Sequence, residues 1–346
     1  MLTLDKEGQG TLMAEANLMS KSFNTIDRSP DDLAALLYTS GTTGRSKGAM
    51  LTQNNLLSNA ETLRGLWHIT EDDVLIHALP IFHTHGLFVA LNTALLSGTK
   101  VNFLPKFDID QIFHAMNFST VLMGVPTFYT RLLEDERLTK KQTKNMRLFV
   151  SGSAPLLAET HEDFTKRTGH HILERYGMTE TNMITSNPYN EERRAGTVGT
   201  PLIGVEVIIT DPETGYEKAE GKIGMIEVRG PNVFKGYWNM PEKTSQEFRQ
   251  NGYFITGDLG KFSTDGYLSI VGREKDLIIS GGYNVYPKEV EDVLNELDQI
   301  EETAVFGVPD SDLGELVVAA VVLADTEKLN KGRTEHFVNK KLARYK

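Results

Sequence analysis

The chain reads as an α/β protein: parallel sheet flanked by helices, then a β-rich subdomain, then a small α+β unit at the C-terminal end. Three observations predict this. Short apolar runs alternate with amphipathic stretches up to about residue 190, the pattern of strands and helices that build a parallel layer. Glycines and turn residues crowd the segment from about 196 to 270. After Gly272 the pattern becomes strand, helix, paired strands and helix, over a stretch too short for a large core.

In the first part, Leu33–Tyr38, Val74–Leu79, Val101–Leu104, Val121–Val125 and Leu148–Val150 are expected as buried strands. Between them, Asn54–Trp67, Asp108–Asn117, Thr127–Glu134 and Leu156–Thr168 carry helical spacing, with Thr52 suited to an N-cap and Pro155 to a helix start. In the second part the pieces Val205–Ile209 and Met225–Arg229 read as strands between turns such as Asp211 to Gly215, Asn251-Gly252 and Asp265-Gly266. The last part predicts a helix over Pro287–Leu297, strands over Thr303–Val308 and Val317–Leu323, and a helix from about Thr334. The expected division is a larger domain over 1–272 and a smaller one over 273–346.

Of 346 residues, 36 are Lys or Arg and 47 are Asp or Glu, a net charge of −11. That balance argues against nucleic acid or an anionic membrane surface as the main partner. With no cysteine there is no thiol nucleophile and no disulfide frame. The N-terminus lacks the apolar stretch of a signal peptide, and runs such as Val317–Leu323 are too short to span a bilayer. A cytoplasmic protein without membrane insertion is expected.

The stretch most informative about chemistry is Tyr38 through Met50. Its glycines at 41, 44 and 48 permit close backbone approach, Thr39, Ser40, Thr42 and Thr43 supply hydroxyls, and Lys47 supplies a cation. Such a loop suits polyphosphate oxygens. It is not a Walker A loop, because Lys47 follows Ser46 and precedes Gly48. Taken alone, it could equally be a solvated connection.

This loop resembles the phosphate-binding signature of the adenylate-forming superfamily, which includes acyl-CoA synthetases, firefly luciferase and peptide-synthetase adenylation domains. Further stretches follow in that family's order: Arg175 to Glu180, Gly224 to Gly230, Tyr253 to Gly260 and Gly272 to Glu291. The resemblance implies an adenylate-forming fold, ATP and magnesium as cofactors, and coenzyme A as co-substrate. It assigns Thr39, Ser40, Gly41, Thr42, Thr43, Gly44, Arg45, Ser46 and Lys47 to the phosphates. Gly152, Ser153, Ala154, Pro155, Tyr176, Gly177 and Met178 fall to the adenine site. Thr179 falls to the α-phosphate, Glu180 to the metal, and Asp258 and Arg273 to the ribose. Lys275 matches the pivot between domains, and Gly281, Gly282 and Tyr283 the thiol side.

The runs Ala78 to Phe88, Gly124 to Arg131, Ser151 to Leu156 and Glu174 to Asn182 resemble the malonyl-CoA synthetase branch. That resemblance implies malonate, or methylmalonate, as the acid. A second carboxylate needs a cationic partner when buried, and His83, Arg131 and Arg175 are the candidates. His83 and His85 alone do not make a tetrahedral zinc site. Three other readings stay open: a synthetase for a monocarboxylic acid, a domain that loads a carrier protein, and a nucleotide-binding remnant. About forty residues precede the loop, and no Gly-Lys segment of the kind that carries the family's adenylation lysine follows Leu342. An incomplete, poorly active chain is therefore expected. Oligomeric state has no signature here.

Overall fold

The structure, a computed structural model, describes residues 1–39, 46–297, 299–323 and 331–342. A short helix, α1 (Thr11–Ala16), lies in an exposed N-terminal stretch. The strands β1 (Leu33–Thr39) and β2 (Lys47–Thr52) then form an antiparallel pair of their own. Leu33–Tyr38 is thus a strand, as its residues suggest, but not one of the parallel sheet. Its residues alternate between exposed and half-buried, and an apolar run alone does not distinguish that from a central position.

The parallel layer comprises β3 (Val74–His77), β4 (Lys100–Phe103), β5 (Val121–Gly124), β6 (Leu148–Ser151) and β7 (Leu173–Met178), in the order β4-β3-β5-β6-β7. Two antiparallel strands, β8 (Asn182–Ser186) and β9 (Thr200–Pro201), extend it beyond β7. Both β5 and β6 are buried along their whole length, as expected of strands covered on both faces. The covering helices are α2 (Gln53–Leu66), α3 (Leu91–Ser97), α4 (Ile109–Met116), α5 (Pro126–Leu133) and α6 (Ala158–Thr168).

Local signals explain several boundaries. Thr52 Oγ1 accepts from the Asn55 amide at 3.1 Å, while Asn55 Oδ1 accepts from the Thr52 amide at 2.9 Å. This reciprocal cap starts α2 and satisfies two otherwise unpaired donors. At α4 a single bond does this, the Gln111 amide donating to Asp108 Oδ1 at 3.0 Å. Pro155 does not begin a helix: Ser153 adopts a left-handed φ of 74° and α6 waits until Ala158. Residues 152–157 are instead an irregular connection. The π-helical turn His85–Ala90 leading into α3 lies in a nearly uniform apolar run, without the periodicity that would announce it.

A four-stranded antiparallel sheet follows, with β10 (Glu206–Thr210), β11 (Gly224–Arg229), β12 (Phe254–Phe262) and β13 (Leu268–Arg273) in sequence order, and α7 (Pro241–Glu247) inserted before β12. The last sheet has the order β15-β14-β17-β16, from β14 (Ile278–Ser280), β15 (Tyr283–Val285), β16 (Ile300–Asp310) and β17 (Gly314–Leu323). With α8 (Pro287–Leu294) and α9 (Lys331–Lys341) it encloses a core around Ile278, Val285, Val290 and Leu294, apart from the larger core on the parallel sheet. The β14–β15 hairpin turns on Gly281-Gly282, both at positive φ, the backbone that two-residue hairpins demand and glycine supplies. Among the described residues, no helix is long and apolar enough to cross a membrane.

Candidate active site

The carboxyl ends of β3, β5, β6 and β7 open into a cleft of about 960 Å³, where open α/β sheets commonly receive ligands. Segment 79–86 forms one wall, Val125 and Phe128 another, and Ser153 with Arg175 the inner end. Lys47, Glu180 and Tyr237 line the opposite part, and Arg273 and Lys275 also border it. An adjoining cleft of about 660 Å³ shares Ser153, Arg175, Gly177, Met178, Arg273 and Lys275. It adds Gly152, Ala154, Pro155, Tyr176 and Asp258, and is closed on the other side by Lys288, Glu291 and Phe306 of the C-terminal sheet and helix.

Lys47 begins β2, and the backbone fixes its surroundings. The Met50 amide donates to Gly236 at 2.9 Å, and the Trp238 amide to Gly48 at 2.8 Å. Those bonds bring segment 235–238 alongside β2, so that Lys47 Nζ donates to the Tyr237 hydroxyl at 3.0 Å and lies 3.3 Å from Glu247. The same hydroxyl lies 2.9 Å from Glu180 and 2.6 Å from Glu247. Glu180 is 4% exposed, and burial pushes its carboxyl above the ordinary range. Lys47 and Glu180, expected to share one ligand, do face one cavity. Sequence reasoning missed Tyr237 and Glu247; neither stands in a pattern that reveals contact across some 190 positions.

At the second cleft, Tyr176 donates to Asp258 at 2.5 Å, and Arg273 pairs with the other oxygen of Asp258 at 2.7 Å. Asp258 and Arg273 are direct cross-strand partners on β12 and β13, which makes the pair a consequence of register. Burial raises the Asp258 carboxyl despite that partner.

Arg175 is the least expected group energetically. It is 3% exposed and, among the described residues, has no acidic partner, and its Nε and Nη2 make no hydrogen bond there. Burial pushes it down to about 9, so it remains charged at neutral pH. Its guanidinium lies flat against Gly152, where an added Cβ would stand 2.4 Å from Cζ. Only glycine leaves that space. His85, at the start of the π-helical turn, is buried beside it. Its Nδ1 lies 3.2 Å from the Ser153 hydroxyl and its Nε2 has no partner, while burial and the nearby Arg175 charge hold it neutral. A buried cation without a counter-charge is costly. Arg175 lines the first cleft together with His85, whose Nε2 has no partner among the described residues.

Other expected residues divide. Thr39, Ser153, Gly177, Met178 and Thr179 border the first cleft, as does the exposed His83. Arg131 does not: it is exposed on α5 and packs over the Phe107 ring, outside both clefts. A helix-end position in sequence cannot tell which way such a residue faces. Ser46 is described but borders neither cleft. Ser40, Gly41, Thr42, Thr43, Gly44 and Arg45 lie outside the described residues. Gly281, Gly282 and Tyr283 sit at the hairpin turn, away from both clefts. His85 was legible only as half of a zinc reading, although its place beside His83 was visible.

Glu180 fits a magnesium site. Among the described residues no group of three His, Cys, Asp or Glu converges, yet magnesium is commonly held by one or two carboxylates, with phosphates and water completing its shell. A buried carboxylate facing a cationic cleft meets that requirement.

The parallel sheet, the antiparallel sheet that carries the Asp258–Arg273 pair and the small C-terminal unit together make the adenylate-forming enzyme fold, with Lys47 and Glu180 on the cleft above the parallel layer. Comparison makes this specific: the AMP-binding enzyme family matches residues 2–238 and its C-terminal domain matches 289–346. The chain belongs to the AMP-binding enzyme family.

It is 40% identical over 328 residues to the malonate–CoA ligase of Arabidopsis thaliana, covering 89% of this chain and 53% of that protein. It is 38% identical over 320 residues to the long-chain-fatty-acid–CoA ligase of Bacillus subtilis, covering 91% and 57%. Among solved structures, ATP-bound MatB from Rhodopseudomonas palustris superposes with a TM-score of 0.97 at 59% identity, covering 100% of this chain and 69% of that one. The chain spans a little over half the length of these curated relatives.

Proposed function

We propose that this chain carries the nucleotide and acid sites of an ATP-dependent acid–thiol ligase that joins malonate, or methylmalonate, to coenzyme A. The observation that carries the reading is Arg175: a buried guanidinium with two unpaired nitrogens lines the same cleft as Lys47 and Glu180. Similarity to the malonate–CoA ligase of Arabidopsis thaliana supports the choice of acid.

On this reading Lys47 neutralises the triphosphate, with Thr39 and Thr179 donating hydroxyls. The adenosine lies in the second cleft, the base against Tyr176 and segment 152–155, the ribose hydroxyls on Asp258 with Arg273 behind it. Glu180 would hold magnesium, whose charge when bound offsets the repulsion between two reacting anions. One carboxylate of malonate attacks the α-phosphorus, and pyrophosphate leaves. Arg175 clamps the other carboxylate, with His85 and His83 completing its hydrogen bonds. A thiol then attacks the acyl carbon and expels AMP.

We assign the boundary between two domains to residues 272–273, with Lys275 as pivot. Rotation there would carry Gly281, Gly282 and Tyr283 to the thiol. A carrier-protein loader is separated by whether free CoA accepts the acyl group.

Calorimetry with ATP, followed by pyrophosphate release on a panel of acids, tests the assignment. A site built around a distal carboxylate should favour malonate over acetate or octanoate by on the order of 10⁴-fold. A monocarboxylate would leave Arg175 buried without a counter-charge. Equal use of acetate and malonate would end the malonate reading, and failure to bind ATP would end the ligase reading.

A further inference from the structure

The Tyr237 hydroxyl has one proton and several neighbours. Lys47 Nζ donates to it, and both Glu180 and Glu247 lie within hydrogen-bonding distance of it, so only one carboxylate can accept its proton at a time. Glu247 also reaches Lys47 at 3.3 Å and Lys243 at 2.8 Å. The Lys47 and Glu247 side chains are 14% and 19% exposed, sheltered from solvent but within the cleft. Glu247 ends α7, which precedes β12 and has no other charge partner among the described residues. A carboxylate held against Lys47 is an oxyanion partner of the kind a phosphate also offers.

We propose that Glu247 is a positioning residue: a resident anion that holds the Lys47 ammonium on the Tyr237 hydroxyl and gives it up to nucleotide phosphate. The inference rests on the reading that Lys47 binds the phosphates of ATP. Tyr237 serves as the fixed point, since its ring also lies 4.3 Å beneath the ammonium and keeps it in place whichever anion it meets. Phosphate therefore competes with an internal carboxylate, and the site discriminates against nucleotides too short to displace it.

The competition has a signature that a structural role lacks. Glu247→Gln keeps the shape and the Tyr237 bond but removes the competing charge. ATP affinity, measured by calorimetry with the full chain and no acid present, should tighten on the order of tenfold, the scale of one charge-assisted hydrogen bond. AMP, which has no β- or γ-phosphate, should bind as to the parent chain. The gain should vanish when Lys47→Met is added, because no ammonium is left to release. Unchanged or weaker ATP binding in Glu247→Gln would overturn the proposal. So would a gain that persists with Lys47→Met, which would reflect only a more positive cleft. Should the parent chain bind no ATP, the ligase reading itself fails, and the two failures are thereby distinguished. Thermal unfolding of each variant confirms that the comparison is between folded proteins.

Discussion

Replacing Arg175 with methionine should stabilise this protein while destroying its capacity for a dicarboxylic acid. The guanidinium is buried at 3% exposure, without an acidic neighbour or a hydrogen bond at Nε and Nη2 among the described residues. Desolvating such an ion costs several kcal/mol, and no acidic group among the described residues offsets it. Methionine retains a flexible apolar stem and lacks the charged guanidinium that lies against Gly152. Buried charges replaced by apolar side chains of similar volume often gain about 1–4 kcal/mol. About 1–3 kcal/mol is expected here, since the methionine fits a space shaped for a longer group. Urea unfolding followed by tryptophan fluorescence reads this directly. Trp67 is fully buried and donates to Ser186 at 3.0 Å, so its emission follows the large core. The midpoint should rise, and the melting temperature should climb by roughly 1–2 °C per kcal/mol for a chain of this length. Malonate affinity should fall more than a hundredfold, the loss of charged hydrogen bonds to a buried carboxylate. A midpoint lowered by more than about 1 kcal/mol would refute the claim that this charge is uncompensated. Unchanged malonate affinity would refute its role as the clamp.

Further expectations follow from the same geometry. Gly152→Ala places a methyl group 2.4 Å from the Arg175 Cζ, so malonate titrations should weaken at least tenfold, with about 1–3 kcal/mol lost from overpacking. Asp258→Asn should weaken AMP and ATP alike by about 1.5–3 kcal/mol, whereas Lys47→Met should weaken ATP and spare AMP. Parallel calorimetry with both nucleotides separates the ribose end from the phosphate end, and equal losses in both variants would contradict the assignment.

A pH series tests His85. Burial holds its imidazole below the ordinary value of 6.5, so around and below that pH the unfolded chain takes up a proton that the folded chain refuses. Stability is thus fullest above 6.5 and falls as the pH drops toward the folded value, by up to about 1.4 kcal/mol per pH unit. His170 is lowered too and adds to this slope, while the raised carboxyls of Glu174, Glu180 and Asp258 oppose it. The comparison with His85→Gln isolates one proton: its urea midpoint should change less between pH 7 and 5.5 than that of the parent chain. An identical profile would show that His85 titrates normally.

Much of the layer structure was legible in the order of residues. The runs at Val121 and Leu148 could be nothing but interior strands once helical stretches lay between them, and Thr52 announced its cap through its hydroxyl. These features depend on neighbours within a few positions. The motif order placed Lys47, Glu180, Asp258 and Arg175 in one functional set before any geometry was known. What sequence left open was facing. Arg131 and Arg175 both stood as candidates for one carboxylate, but α5 turns Arg131 outward while β7 carries Arg175 inward. Leu33–Tyr38 was a strand on composition, but its apolarity did not reveal that its partner would be β2 and not a strand of the parallel sheet.

The amino-acid order by itself determined the chemical groups available to this protein: hydroxyl- and glycine-rich turns, and carboxylates and cations set in motif order. Tertiary structure alone decided which charges are left unpaired. Only packing could bring Glu247 against Lys47 across 200 positions and bury Arg175 with no counter-ion among the described residues. Charge cost depends on burial and on neighbours in space, and neither can be counted along a chain.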